Sequence, residues 1–147
     1  MKRFIVFLVV AFLSTGLVLA AQSPVGKWKT VDEKSGEVTS DIEIYDQSSV
    51  LFGKIVALTE PNDKHGKPKT CIACTGADKD KLVLGLVILK DFKPSGDRYK
   101  GTLLDPRDGK VYTAEIWVEN GNLKVRGYVG FLYQTRTWLK GGLKSSA

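Results

Sequence analysis

"KVYTAEIWVENGNLKVRGYVG", residues 110–130, decides the fold. Tyr112, Ala114, Ile116 and Val118 alternate with Thr113, Glu115 and Trp117, the period of two that gives a strand one buried face and one solvated face. Asn120-Gly121 separates this run (110–119) from a second one, "NLKVRGYVG" (122–130). An Asn-Gly pair between alternating runs is the strongest short-range hairpin signal. The stretch therefore predicts two antiparallel neighbours.

The same grammar extends in both directions. Runs rich in β-branched and aromatic residues occupy 26–32, 38–46, 49–60, 82–92, 98–105 and 131–140, which brings the number of predicted strands to eight. "PRDG" at 106–109 reads as a Pro-led turn, with the Asp105 carboxylate bonding backbone N–H groups after Pro106 and Gly109 finishing it. "LVLGLVILKDF" (82–92) is apolar on both faces and is expected to be buried or placed against the polar segment 61–81 that precedes it. Residues 61–81 form a long polar excursion without regular pattern. Short connections and glycines inside the strands favour an all-β fold, a small up-and-down eight-stranded antiparallel barrel. A two-sheet β-sandwich is the alternative.

The N-terminus reads as a secretory signal. Lys2 and Arg3 precede the apolar stretch Phe4 to Leu13, and Val18-Leu19-Ala20 supplies small residues for cleavage after Ala20, with Ala21 as the alternative site. The apolar stretch is short for a bilayer span and no lipobox precedes the cleavage point. One domain over 21–147 is expected, periplasmic or secreted, with no transmembrane segment after cleavage. Cleavage leaves 127 of 147 residues and lowers the net charge from +6 to +4. The remaining cations are interspersed with acids rather than clustered, which argues against a nucleic-acid partner.

Both cysteines lie in "KTCIACTG" (69–76). No helical pattern follows them, as thioredoxin-type chemistry requires, and Thr75 stands where haem attachment needs histidine. His65 is the only histidine, so a metal site has at most His65, Cys71 and Cys74 with a carboxylate, short of the usual four Cys/His ligands. A Cys71–Cys74 disulfide is the favoured reading in an oxidising compartment. Its short ring predicts about 2 kcal/mol of loop-closure stabilisation, enough to pin the excursion. No metal and no cofactor is expected.

"VGKWKT" resembles the Gly-x-Trp start of the lipocalin and calycin barrels. That resemblance implies that Gly26, Trp28 and Arg136, in the late "QTRTW", close one end together. "GTLLDPRDGKVYTAEIWVENGNLKVRGYVGF", with "GKWKT", "FGKIVAL", "CIAC" and "LVLGLVIL", is similar to an exported bacterial family, DUF2147, across the expected mature chain. Gly26, Trp28, Asp105, Pro106, Gly109, Tyr112, Arg126, Gly127 and Gly130 match its recurring positions. The resemblance implies a calycin-like barrel, export and an envelope location. It implies no activity.

The sequence shows no second histidine for a proton shuttle and no Gly-x-Ser-x-Gly elbow, so no enzyme is expected. Asp105 reads as turn chemistry rather than as a catalytic acid. Two roles stay open. One is an exported envelope binding protein whose barrel mouth takes a small, partly apolar or anionic ligand. The candidate contacts are then Lys64, His65, Lys67 and Lys69 on the excursion, with Arg126 either at the mouth or solvent-facing and bonded across strands. The other is a structural or protein-interaction module with a filled core and an envelope protein as partner. Composition does not fix the oligomeric state.

Overall fold

A computed structural model describes residues 21–142. The expected signal peptide at 1–20 lies outside the described residues. Eight strands follow in order: β1 (Gly26–Val31), β2 (Val38–Gln47), β3 (Val50–Leu58), β4 (Val87–Ser95), β5 (Arg98–Leu104), β6 (Val111–Glu119), β7 (Asn122–Val129) and β8 (Leu132–Lys140). Each pairs antiparallel with the next, and β8 returns to β1 to close the barrel. The sandwich alternative is thereby excluded. The closing seam is thin, with Trp28 opposite Lys140 and Lys29 opposite Leu139. Among the described residues no helix is long and apolar enough to cross a membrane.

Register explains which side chains share the lumen, since directly paired residues point to the same face. Trp28 pairs with Ile42 and Ile42 with Ile55, while Gly53 pairs with Leu89 and Leu89 with Leu103. Ile116 and Val125 continue the inner face, as do Leu123 and Trp138. Nearly all of these are buried, and with Ile44, Phe92 and Ala114 they belong to one continuous core. Phe92 lies over Gly101, where a Cβ would stand 2.7 Å from the ring. Eight strands give an interior that side chains can fill, and here they fill it.

The apolar run expected as a strand over 82–92 divides. Its first part remains loop, and β4 begins at Val87. Gly85 takes φ +88° just before the strand, its N–H donating to Ile55 and the Leu86 carbonyl accepting from the Ile55 N–H. Leu82 and Leu84 are half exposed. At its other end β4 continues through Lys93, Pro94 and Ser95, which pair with Lys100, Tyr99 and Arg98.

The excursion is ordered by its own backbone. Asn62 bridges Pro68 and Thr70 bridges Leu82, and Val83 N–H donates to the Lys69 carbonyl at 2.9 Å. Cys71 and Cys74 are joined in a disulfide that is fully buried within the core cluster. The pair thus does more than pin a loop: Cys71 Sγ lies 3.6 Å from the Pro106 carbonyl oxygen, which ties the excursion to the "PRDG" turn. Alkylation of unreduced protein should leave both cysteines unmodified by mass spectrometry. Replacing both with alanine should cost about 2–5 kcal/mol in denaturant unfolding, because core volume goes with the crosslink.

Candidate functional site

The lumen is not where the chain offers space. Its upper end, where the 32–37, 59–86, 105–110 and 130–131 connections lie, is bridged by polar contacts. Arg136 pairs with Val125 and so faces the lumen, and Glu33 reaches from the β1–β2 connection to its guanidinium at 3.4 Å. The Gln134 amide donates to the same carboxylate at 3.2 Å. Asp105 accepts from Arg107 side-chain nitrogens at 3.0 and 2.7 Å and from the Arg107 backbone N–H at 2.9 Å. Burial pushes the Asp105 carboxyl up, but these bonds and the Arg107 charge outweigh it and hold its pKa below the ordinary value.

Arg136 therefore does not stack on Trp28. The register sets Trp28 opposite Lys140, four residues further along β8, and the Trp28 indole N–H donates to the Pro24 carbonyl at 2.7 Å. Trp28 and the preceding Pro24 are both buried. The proline before β1 supplies the contact to the tryptophan that was expected from an arginine.

A groove of about 580 Å³ opens outside the barrel, between the outer wall of β2–β3 and the end of the excursion. Tyr45 and Phe52 are paired across these strands, with ring centroids 6.0 Å apart and planes inclined at 24°. They alternate with the buried Ile44 and Leu51, so both rings stand on the outer surface. Leu82, Leu84 and Val87 line the groove with them. The displaced start of β4 makes this wall: residues 82–86 leave the sheet and run beside it.

Charge gathers among the lining residues Asp78, Lys81 and Lys90. Asp78 sits in a short 3-10 turn (Gly76–Asp78) and accepts from Lys90 Nζ at 2.8 Å and from Lys81 Nζ at 3.2 Å. The Lys90 bond, more than any other influence, holds the Asp78 carboxyl below the ordinary range. An ammonium has three N–H donors, and Asp78 uses one from each lysine. Both lysines are partly exposed, so their remaining donors are available to an acidic group at the groove. The volume falls within the usual range of small-molecule sites, about 300–1,000 Å³.

The residues picked from sequence gather elsewhere. Lys64, His65 and Lys67 belong to an exposed tight turn where Asp63 accepts from the His65 and Lys67 backbone N–H groups at 2.8 and 3.0 Å. Lys69 pairs with Glu60 at 3.6 Å. Arg126 lies on the outer wall, its Nε donating to Thr135 Oγ1 at 2.8 Å, the cross-strand arrangement rather than a lumen contact. The disulfide occupies both sulfurs that the His65, Cys71, Cys74 metal alternative needs. Among the described residues no three His, Cys, Asp or Glu side chains gather as metal ligands. Tyr45, Phe52 and Lys90 were missed. All three stand on the outer wall, and nothing local in the sequence says that an excursion folds beside them.

The sequence matches "Uncharacterized protein conserved in bacteria (DUF2147)" over residues 26–140. No curated protein matches it. Among solved structures the fold is similar to protein HP1028 from the human pathogen Helicobacter pylori, described as belonging to the lipocalin family. The TM-score is 0.66 at 18% identity, covering 80% of this chain and 82% of that one. The likeness concerns the barrel, whose closed eight-stranded meander agrees with it. With the family match running from the first residue of β1 to the last of β8, the chain belongs to the DUF2147 family.

Proposed function

We propose that this protein is an exported, non-enzymatic binding protein of the bacterial envelope. It holds a small, partly apolar ligand with an acidic head in the groove between β2–β3 and the excursion. One observation carries the reading: apolar and aromatic walls share one concavity with two lysines tethered by a single carboxylate. An aliphatic or aromatic body lies along Phe52, Leu82 and Leu84, and a carboxylate or phosphate meets Lys81 and Lys90. The lipocalin-like barrel supports a binding role and gives the groove a rigid floor. The filled lumen favours a different reading, a protein-interaction module without a small ligand.

Two probes separate them, dodecanoate and anilinonaphthalene sulfonate, each an apolar body with one anionic group. The sulfonate's fluorescence should rise on adding the native protein, and dodecanoate should displace it. Leu84→Asp puts a negative charge on a half-exposed wall position and should weaken both probes about tenfold or more, with unfolding unchanged. Lys81→Glu should weaken both in the same way. No binding of either probe to the native protein sinks the groove reading and leaves the interaction reading.

A further inference from the structure

The tip of the β7–β8 hairpin carries the most exposed large apolar residue of the chain's described part. Phe131 is 92% exposed, Val129 64% and Leu132 63%, and Val111 on the adjoining strand is 64% exposed. Isolated apolar residues on a surface need no explanation, but contiguous ones mark an interaction site. Residues 126–133, "RGYVGFLY", contain no acid.

Behind the tip the outer wall changes character row by row. Tyr128 pairs with Tyr133, and their rings are 6.0 Å apart. At the next outward row Arg126 pairs with Glu115 and Glu115 with Lys100, which pairs in turn with Lys93. The one carboxylate of this row is engaged, accepting from Arg98 at 3.0 Å and from Tyr128 at 2.8 Å. Arg126 lies 4.2 Å from the Tyr133 ring centroid and 5.1 Å from that of Trp117, and Arg98 lies 3.8 Å from Trp117. In the neighbouring loops Glu33 is bonded to Arg136 and Gln134, and Asp108 to Tyr112.

The geometry points to a lipid bilayer surface carrying anionic headgroups as the partner of this tip. Strand rise places the two tyrosines about 7 Å behind Phe131 and the Arg126 row about 13 Å behind it. Interfacial elements bury their apolar part about 5–10 Å deep. The tip thus enters the acyl boundary, the tyrosine hydroxyls reach the headgroup level where aromatic belts lie, and the cations meet lipid phosphates. Charge complementarity decides against a second copy, because a two-fold contact through the tip brings no acid to these cations, residues 126–133 having none. This docking is independent of the groove, which lies on the β2–β3 wall.

The test is co-flotation of the exported protein with vesicles of phosphatidylethanolamine and phosphatidylglycerol, against phosphatidylcholine vesicles. Binding should favour the anionic vesicles and weaken with added salt. Phe131→Ser with Leu132→Ser should lower the partition coefficient about tenfold or more. Phe131→Trp should keep it, and the new indole should be quenched by lipids brominated near the headgroup end of the chain. That quenching also decides the matter if the serine variant folds poorly. Native protein that floats with neither vesicle overturns the proposal, as does a folded serine variant that floats equally well. A concentration-dependent dimer abolished by the serine pair overturns it too, and gives the tip to a second copy.

Discussion

Trp28→Ala should lower the free energy of unfolding by about 3–5 kcal/mol, the largest loss expected from any single truncation in this barrel. The indole is 3% exposed, so its removal leaves a cavity between β1 and the middle of β2, where it pairs with Ile42. It also strips the Pro24 carbonyl of the indole N–H that donates to it at 2.7 Å. Trp28→Phe should recover most of the packing and lose the bond, leaving a deficit of about 1–3 kcal/mol. Arg136→Lys provides the contrast. Its partner Glu33 is 49% exposed and the arginine 39%, so a lysine there should cost less than about 1 kcal/mol. Denaturant midpoints of the three variants check the ranking. If Arg136→Lys proved as damaging as Trp28→Ala, the arginine would belong to the closure after all.

Gly109→Ala should cost about 3 kcal/mol and loosen the excursion. Two causes add. The residue sits at φ +70°, where a side chain is strained, and its Cβ would stand 1.9 Å from the Ala73 carbonyl oxygen and 2.8 Å from the Cys74 nitrogen. Both are backbone atoms beside the disulfide and cannot swing aside like the end of a flexible chain. Gly121→Ala isolates the first cause, since Gly121 has φ +77° and nothing within 4 Å of its Cβ position. It should cost only about 1–2 kcal/mol. Hydrogen exchange at Cys71 and Val83, whose N–H groups donate to Lys81 and Lys69, should accelerate in the Gly109 variant alone. Equal effects of the two substitutions would mean that the turn and the excursion are not locked together.

What was legible in the sequence followed from local periodicity. The Asn120-Gly121 hairpin forms as read, both residues at positive φ, and every predicted strand except one begins within about two residues of its place. The exception, 82–92, opens with an unbroken apolar run from Leu82 to Leu89, and alternation has nothing to say about a run without polar members. Only the Gly85 conformation and its bonds to Ile55 fix where the strand starts. Arg136 was misplaced for another reason: its level relative to Trp28 depends on the β1–β8 register, a contact between chain ends with no local signature. The groove escaped notice likewise. Alternation sets Tyr45 on the face opposite Ile42 and Ile44, but its pairing with Phe52 and the neighbouring Leu84 are products of long-range packing.

The thin seam between β1 and β8 has a consequence for how the molecule comes into being. Each of the other pairings joins neighbours in the chain, so the sheet can grow strand by strand as residues arrive. The last one joins Trp28 to Lys140, nearly the full span of the described chain. Thermodynamically that long loop is a small burden, since closure entropy rises only logarithmically with length. Kinetically it is decisive. Until the final strand arrives, β1 and whichever strand was laid down last are bare edges, with unpaired amides ready to take up any extended chain nearby. A polypeptide made N-terminus first is thus exposed to aggregation throughout its assembly, and the arrival of β8 ends that exposure.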